Sequence, residues 1–368
     1  MSCKVLGRAI LVAATALLVG GCGGTAAPTA SPSASPMAVV SAAASSAQPS
    51  PTALASPTAA PSTAIASPSG SPAGGPPTLV MQSPIDGGMG IYLVDASGAV
   101  GLKVSAGQKS ARHPDWSPDG KTVAFDSDDD GALWVVNVDG SNAHQLLTCD
   151  TGCYALAHPA FSPDGKRIAY VRYTPTTGAD PNNSPPAGSS IRVLDLATGK
   201  STVVAEAKQP ELVDVPRWSP DGKRLVFAVD HFGPDLGETG STIAIVDASG
   251  GRATRLLPLS SWAYAPDWNR ATGALLFSVE EKDYSTIPQN DQAYDLWSIA
   301  PSGGTPTQLT HLAAGSHLVY PAWSPDGSVI VASLDAPTSP RAVVLVDPAT
   351  GTMTQLLTIN SLHAHLRP

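Results

Sequence analysis

The stretch Pro114-Asp115-Trp116-Ser117-Pro118-Asp119-Gly120 decides the fold, because it returns along the chain. Ser-Pro-Asp-Gly stands again at Ser162–Gly165, Ser219–Gly222 and Ser324–Gly327. Each copy follows Pro-x-aromatic: Pro159-Ala160-Phe161, Pro216-Arg217-Trp218 and Pro321-Ala322-Trp323. A degenerate fifth copy reads Pro266-Asp267-Trp268-Asn269. Pro presets φ at the second turn position, Asp bonds its own backbone, and Gly takes the left-handed exit, so each copy is a tight turn. The aromatics are spaced about 50 residues apart, which is the length of a propeller blade.

After each turn comes a β-type run: Thr122–Ser127, Arg167–Arg172, Arg224–Val229, Ala274–Val279 and Val329–Leu334. A second run follows at Leu133–Val138, Ile191–Leu196, Ile243–Val246, Leu296–Ile299 and Val343–Val346. A Gly-containing turn and a short closing strand complete each unit. A sixth unit opens the series without its first strand, at Thr78–Ser83, Ile91–Asp95 and Leu102–Ser105. Residues 361–368 arrive where that missing strand is due. The expectation is an all-β chain: a six-bladed β-propeller of four-stranded antiparallel blades over residues 78–368, joined at its two ends and preceded by a disordered linker. The aromatic before each turn is expected to pack between neighbouring blades.

The N-terminus reads as an address. Lys4 and Arg8 precede an apolar run from Ala9 to Val19, then Gly20-Gly21-Cys22. That run is shorter than the roughly 20 residues that span a bilayer, and suits the core of a secretory signal. Val19-Gly20-Gly21-Cys22 resembles the lipobox of bacterial lipoproteins, which implies removal of residues 1–21 and acylation of Cys22. Residues 22–77 are the expected tether. Between Gly23 and Pro77 there is no charged and no aromatic side chain, and Ala, Ser and Pro dominate. Such a segment has little apolar surface to offset the entropy of ordering it. The reading is an extracytoplasmic protein held to a bacterial membrane by lipid. The net charge of −9 argues against a nucleic-acid partner and against polybasic attachment to anionic lipid.

The repeats resemble the TolB-like, or WD-like, β-propeller family over about 290 residues. Ser127-Asp128-Asp129-Asp130-Gly131 matches that family's hairpin and Gln308-Leu309-Thr310 its closing strand. The resemblance implies architecture more than activity, since such blades serve as scaffolds, peptidase gates and occasional lyases. A gated peptidase is excluded, because no Gly-x-Ser-x-Gly occurs.

Several constellations bear on chemistry. Cys149 and Cys153, close together in an exported chain, are expected to form a local disulfide. Asp126, Asp128 and Asp130 before Gly131 have the opening of a calcium loop without its downstream ligand, and the same residues read as a solvated hairpin. No other cofactor is expected. His113 and His158 each precede the Pro of an innermost strand. Such histidines bind a transition metal in the pectin-lyase relatives of this fold; here the equivalents read Val215, Ala265, Tyr320 and Arg367, an incomplete ligand set, and a channel-lining role is expected. Long irregular segments at Tyr173–Ser190, Asp230–Ser241 and Glu280–Asp295 depart on the side opposite the tight turns. They and their neighbours supply aromatics expected to be exposed for binding: Tyr154, Tyr173, Phe232, Trp262, Tyr264, Tyr284 and Tyr294. Acids accompany them, so the partner expected is an envelope protein or glycan of neutral or basic character. The function read from this is a monomeric, non-enzymatic binding scaffold in the cell envelope. The rival is a channel-centred, metal-dependent lyase or hydrolase acting on a polysaccharide or ester.

Overall fold

The computed structural model describes residues 79–368, apart from residues 96–97, 106, 177–185, 234–236, 282–291 and 338. The signal, the tether with Cys22, and Tyr284 lie outside the described residues. The chain forms four-stranded antiparallel sheets in sequence order. The first contains β1 (Leu79–Ser83), β2 (Gly90–Val94) and β3 (Val100–Lys103). The second is β4 (Ala111–Trp116), β5 (Thr122–Ser127), β6 (Ala132–Asn137) and β7 (His144–Leu147). The third is β8 (Ala155–Phe161), β9 (Arg167–Thr174), β10 (Gly188–Asp195) and β11 (Ser201–Lys208). The fourth is β12 (Glu211–Trp218), β13 (Arg224–Phe232), β14 (Glu238–Asp247) and β15 (Thr254–Arg255).

The remaining units share one eight-stranded sheet. Its first half is β16 (Ala263–Trp268), β17 (Leu275–Glu280), β18 (Tyr294–Ile299) and β19 (Thr307–Gln308). Its second half is β20 (His317–Trp323), β21 (Ile330–Ala336), β22 (Ser339–Val346) and β23 (Met353–Thr358). One parallel bridge, Tyr294↔His317, connects the halves. The last strand, β24 (Leu362–Leu366), returns to β1, with Leu79 opposite Leu366 and Gln82 opposite Leu362. The last strand thus completes the sheet of the first described strand, making the ring continuous. Six separate blades were expected; the described sheets are four of four strands and one of eight.

The repeated Pro has a specific consequence. Proline has no N–H for the ladder, so it is tolerated in a strand only where pairing is interrupted. Each inner strand slips register at this point, between Arg112 and Asp115, Ala157 and Ala160, Asp214 and Arg217, Tyr264 and Asp267, and Val319 and Ala322. The residue before the Pro has a positive φ every time: His113 at 47°, His158 at 52°, Val215 at 47°, Ala265 at 45° and Tyr320 at 51°. His363 in β24 repeats it at 49°, with Ala364 in the proline's place. A left-handed backbone is unfavourable for residues with a Cβ, so a bulge held there six times is a feature of the design. It re-aims one side chain per inner strand.

The core lies between neighbouring sheets. Trp116, Val123 and Phe125 of the second sheet pack with Val80 and Ile91 of the first. Trp268, Leu275 and Phe277 pack with Val226 and Ile243 of the fourth in the same way. The pre-turn aromatic is therefore an inter-sheet wedge, as expected. The turns behave as the sequence implies: Ser117 Oγ donates to Asp119 Oδ1 at 2.7 Å, and Asp119 Oδ1 accepts the Lys121 N–H at 3.1 Å.

Candidate functional site

The bulged positions bring His113, His158, His363 and Tyr320 together at the centre of the ring. The rings of His113 and His158 stack with centroids 3.6 Å apart, and His363 meets His113 edge-on at 4.5 Å. Tyr320 lies against His363 at 3.6 Å. One ring nitrogen from each histidine lies within 4.8 Å of the other two.

Carboxylates stand behind this cluster. Asp126, from β5, is buried and accepts the Nδ1–H of His113 at 2.8 Å and the main-chain N–H of His158 at 3.0 Å. Asp214, from β12, places Oδ1 3.5 Å from His158 Nε2. Gln82 of β1 accepts the His113 main-chain N–H at 2.7 Å. Burial holds His113, His158 and His363 well below the ordinary imidazole range, which favours the uncharged ring. Burial likewise raises Asp126 well above the usual carboxylate range. His158 Nδ1 and His363 Nε2 are buried with no hydrogen-bond partner among the described residues.

Towards the side away from the tight turns, a second layer of tyrosines and acids follows. Tyr173 is raised by burial and then by Asp214, with Asp230 and Asp126 adding further negative charge. Asp230 is raised well above its ordinary value by burial, then by Glu238 and Asp214, and its Oδ1 has no hydrogen-bond partner among the described residues. Tyr264 donates to Glu280 Oε2 at 3.4 Å, and Tyr294 packs edge-on against His317 at 4.5 Å. The opposite, turn-side end carries arginines, aspartates and a histidine. There Arg217, Arg270, Asp115, Asp267 and His365 surround a cavity of about 60 Å³ that prolines of the turns also line.

The structure relocates several expected site residues. Tyr173, Tyr264 and Tyr294 were expected to be exposed on loops; each is 3% exposed. The reason is strand length: β9 runs to Thr174 and β13 to Phe232, while β14 starts at Glu238, so much of the apparent insertion is ladder and its side chains alternate inward. Tyr154, Phe232 and Trp262 are half-buried. Asp126, Asp128 and Asp130 do not converge on one point. Asp126 faces the histidines, Asp128 pairs with Arg112 Nε at 2.6 Å, and Asp130 accepts from Gln145 Nε2 at 2.8 Å and Trp134 Nε1 at 3.0 Å. Strand alternation would keep these three on one face, but β5 ends at Ser127, and the turn over residues 128–131 carries Asp128 and Asp130 away from Asp126. Cys149 and Cys153 are bonded, with Cα atoms 5.3 Å apart.

The sixth equivalent of His113 is His363, where the sequence reading placed Arg367. His363-Ala364-His365-Leu366 keeps the spacing of x-Pro-x-aromatic with both marker residues replaced, so only the strand register reveals it.

Bulged inner strands around a polar centre, packed through aromatic wedges, define the β-propeller class. The family model described as the TolB beta propeller domain matches residues 132–364, more than half of the chain, and the chain belongs to that family. An uncharacterised protein of Agrobacterium fabrum is 27% identical over 178 residues, 38% of this chain, and the match spans 56% of that relative's length. The TolB structure from Acinetobacter baumannii aligns with a TM-score of 0.56 at 17% identity, covering 80% of this chain and 67% of that one. An oligogalacturonate lyase from Vibrio parahaemolyticus aligns at 0.54 with 15% identity, covering 76% and 74%. At such identities the two structures share the fold with this chain.

Proposed function

We propose that the chain is a lipid-anchored, extracytoplasmic binding module, monomeric and non-enzymatic, whose partner docks at the tyrosine-and-acid end of the ring. The eight-stranded sheet works as two blades, six in all, since a single bridge joins its halves. One observation carries the reading: Asp214, Asp230, Glu238 and Glu280 gather with Tyr173 and Tyr264 at one end, and Asp230 retains an unpartnered buried oxygen. An unsatisfied buried polar atom costs about 1–3 kcal/mol, which a ligand's donor recovers. Acids concentrated in a concave site favour neutral or cationic groups and repel anions. The partner is an envelope protein or glycan of that character.

The test compares the wild-type chain with Asp214→Asn/Asp230→Asn as bait in detergent-solubilised envelope. Removing two buried carboxylates should leave the thermal midpoint equal or higher while the partner held by wild type is lost. Equal capture by both baits would overturn the reading.

A second reading, a channel-centred lyase or hydrolase, has one observation in its favour. His113–Asp126 and His158–Asp214 are two imidazole–carboxylate contacts side by side, the apparatus of general acid–base chemistry. Turnover of a polysaccharide or ester by wild type, lost in His113→Gln, is what would establish it.

A further inference from the structure

The histidine cluster carries an inference that stands independently of the docking reading. We propose that His113, His158 and His363 hold one divalent first-row transition-metal ion, zinc-like in its preference for imidazole.

Three features of the cluster support this. Imidazole nitrogen is a borderline ligand suited to zinc and its neighbours, and three protein ligands with an open fourth position are a common arrangement for zinc. Next, His158 and His363 each carry a buried ring nitrogen, Nδ1 and Nε2, with no hydrogen-bond partner among the described residues, and the two residues are only 6% and 2% exposed. His113 presents Nε2, since its Nδ1 is committed to Asp126. Finally, the outer nitrogens are backed by carboxylates, Asp126 on His113 at 2.8 Å and Asp214 near His158 at 3.5 Å. A carboxylate behind a ligating imidazole fixes the tautomer and makes the metal-facing nitrogen a stronger donor.

The distances are compatible. Around a tetrahedral ion with metal–nitrogen bonds of about 2.0–2.1 Å, the nitrogens stand roughly 3.4 Å apart. Here they lie within 4.8 Å, and the His113 and His158 rings stack, so closing on an ion takes about an ångström of movement together with rotation of one ring out of the stack about its broad terminal torsion. The ligands come from β4, β8 and β24, so the ion would also tie the C-terminal strand to two neighbouring inner strands. Hydration of the unpartnered nitrogens is the competing account, and it predicts no metal affinity.

The experiment uses the full chain, stripped with chelator in detergent and titrated with cobalt(II) chloride. One equivalent should give the intense visible ligand-field bands of a tetrahedral site, and zinc(II) should abolish them one for one. Asp126→Asn should weaken binding about 10–100-fold. His158→Ala and His363→Ala should lose the bands, whereas His144→Ala, at an exposed position, should keep them. His158→Asn and His363→Asn repeat the test in case the cavity variants do not fold. Absence of tetrahedral bands in the wild-type chain overturns the assignment, as do bands that persist in any folded His158 or His363 variant.

Discussion

Trp116 donates its indole N–H to the main-chain carbonyl of His365 at 3.0 Å, although 249 positions separate the two residues. The wedge aromatic of the second sheet thus clasps the last strand of the chain. On the other side of that strand, Ala364 is fully buried among Leu79, Met81, Val331 and Val343. Closure therefore rests on β24, and Ala364→Asp should break it. Placing an unpaired carboxylate there costs about 3–5 kcal/mol, or roughly a 6–20 °C lower thermal midpoint. Differential scanning calorimetry of the two proteins checks this; an unchanged midpoint would show that β24 contributes little.

Trp218 joins the third and fourth sheets. Its Nε1 donates to the Ala160 carbonyl at 3.0 Å, and the Arg167 guanidinium lies 4.5 Å from its ring centroid. Trp218→Phe should cost about 1–2 kcal/mol, the loss of one hydrogen bond and some area, because Phe161 fills the equivalent place in the third sheet. Trp218→Ala should cost about 3–5 kcal/mol. Urea unfolding curves separate the two.

The contribution of Asp230 to stability should fall as pH rises from mild acid. Asp230 in the folded protein keeps its proton well above the ordinary value of 3.8, through burial and the neighbouring Glu238 and Asp214. Over that window the unfolded chain has already lost the proton, so unfolding releases one and higher pH favours it. The buried histidines work in the opposite sense over part of this range, so the Asp230 contribution is read as the difference between wild type and Asp230→Asn, which cannot titrate. The variant's advantage in thermal midpoint should grow from about pH 5 to about pH 8. A difference that is constant or shrinks over this range would contradict the assignment.

Membrane attachment depends on Cys22 in the proposed anchoring. Cys22→Ala protein should move from the membrane pellet to the soluble extracytoplasmic fraction after carbonate extraction. Retention of the variant in the pellet would assign attachment to something else.

Much of the architecture was legible because it is local. Ser-Pro-Asp-Gly turns and the x-Pro bulges depend on backbone chemistry within a few residues, so the repeat boundaries and the wedge role of Trp116, Phe161 and Trp268 could be read directly. The centre was harder. His113 and His158 were visible as a pair, but His363 lacks both marker residues and joins them only through ring closure, while Asp214 and Gln82 reach the cluster from neighbouring sheets. The tyrosines misled for a related reason. A Tyr in a long inter-strand segment reads as exposed, and only the extended registers of β9 with β10 and β17 with β18 turn Tyr173 and Tyr294 inward.

The central claim, that the partner docks at the acid-lined end rather than on the turn side, is tested most directly by photocrosslinking in the living envelope. A photoreactive amino acid is placed at Thr239 or Glu281 on the acid-lined side, and at Lys121 or Lys223 beside the Ser-Pro-Asp-Gly turns; all four are exposed. The account predicts a discrete adduct from Thr239 or Glu281 that Asp214→Asn/Asp230→Asn abolishes, and none from Lys121 or Lys223. An adduct confined to Lys121 or Lys223 would contradict it.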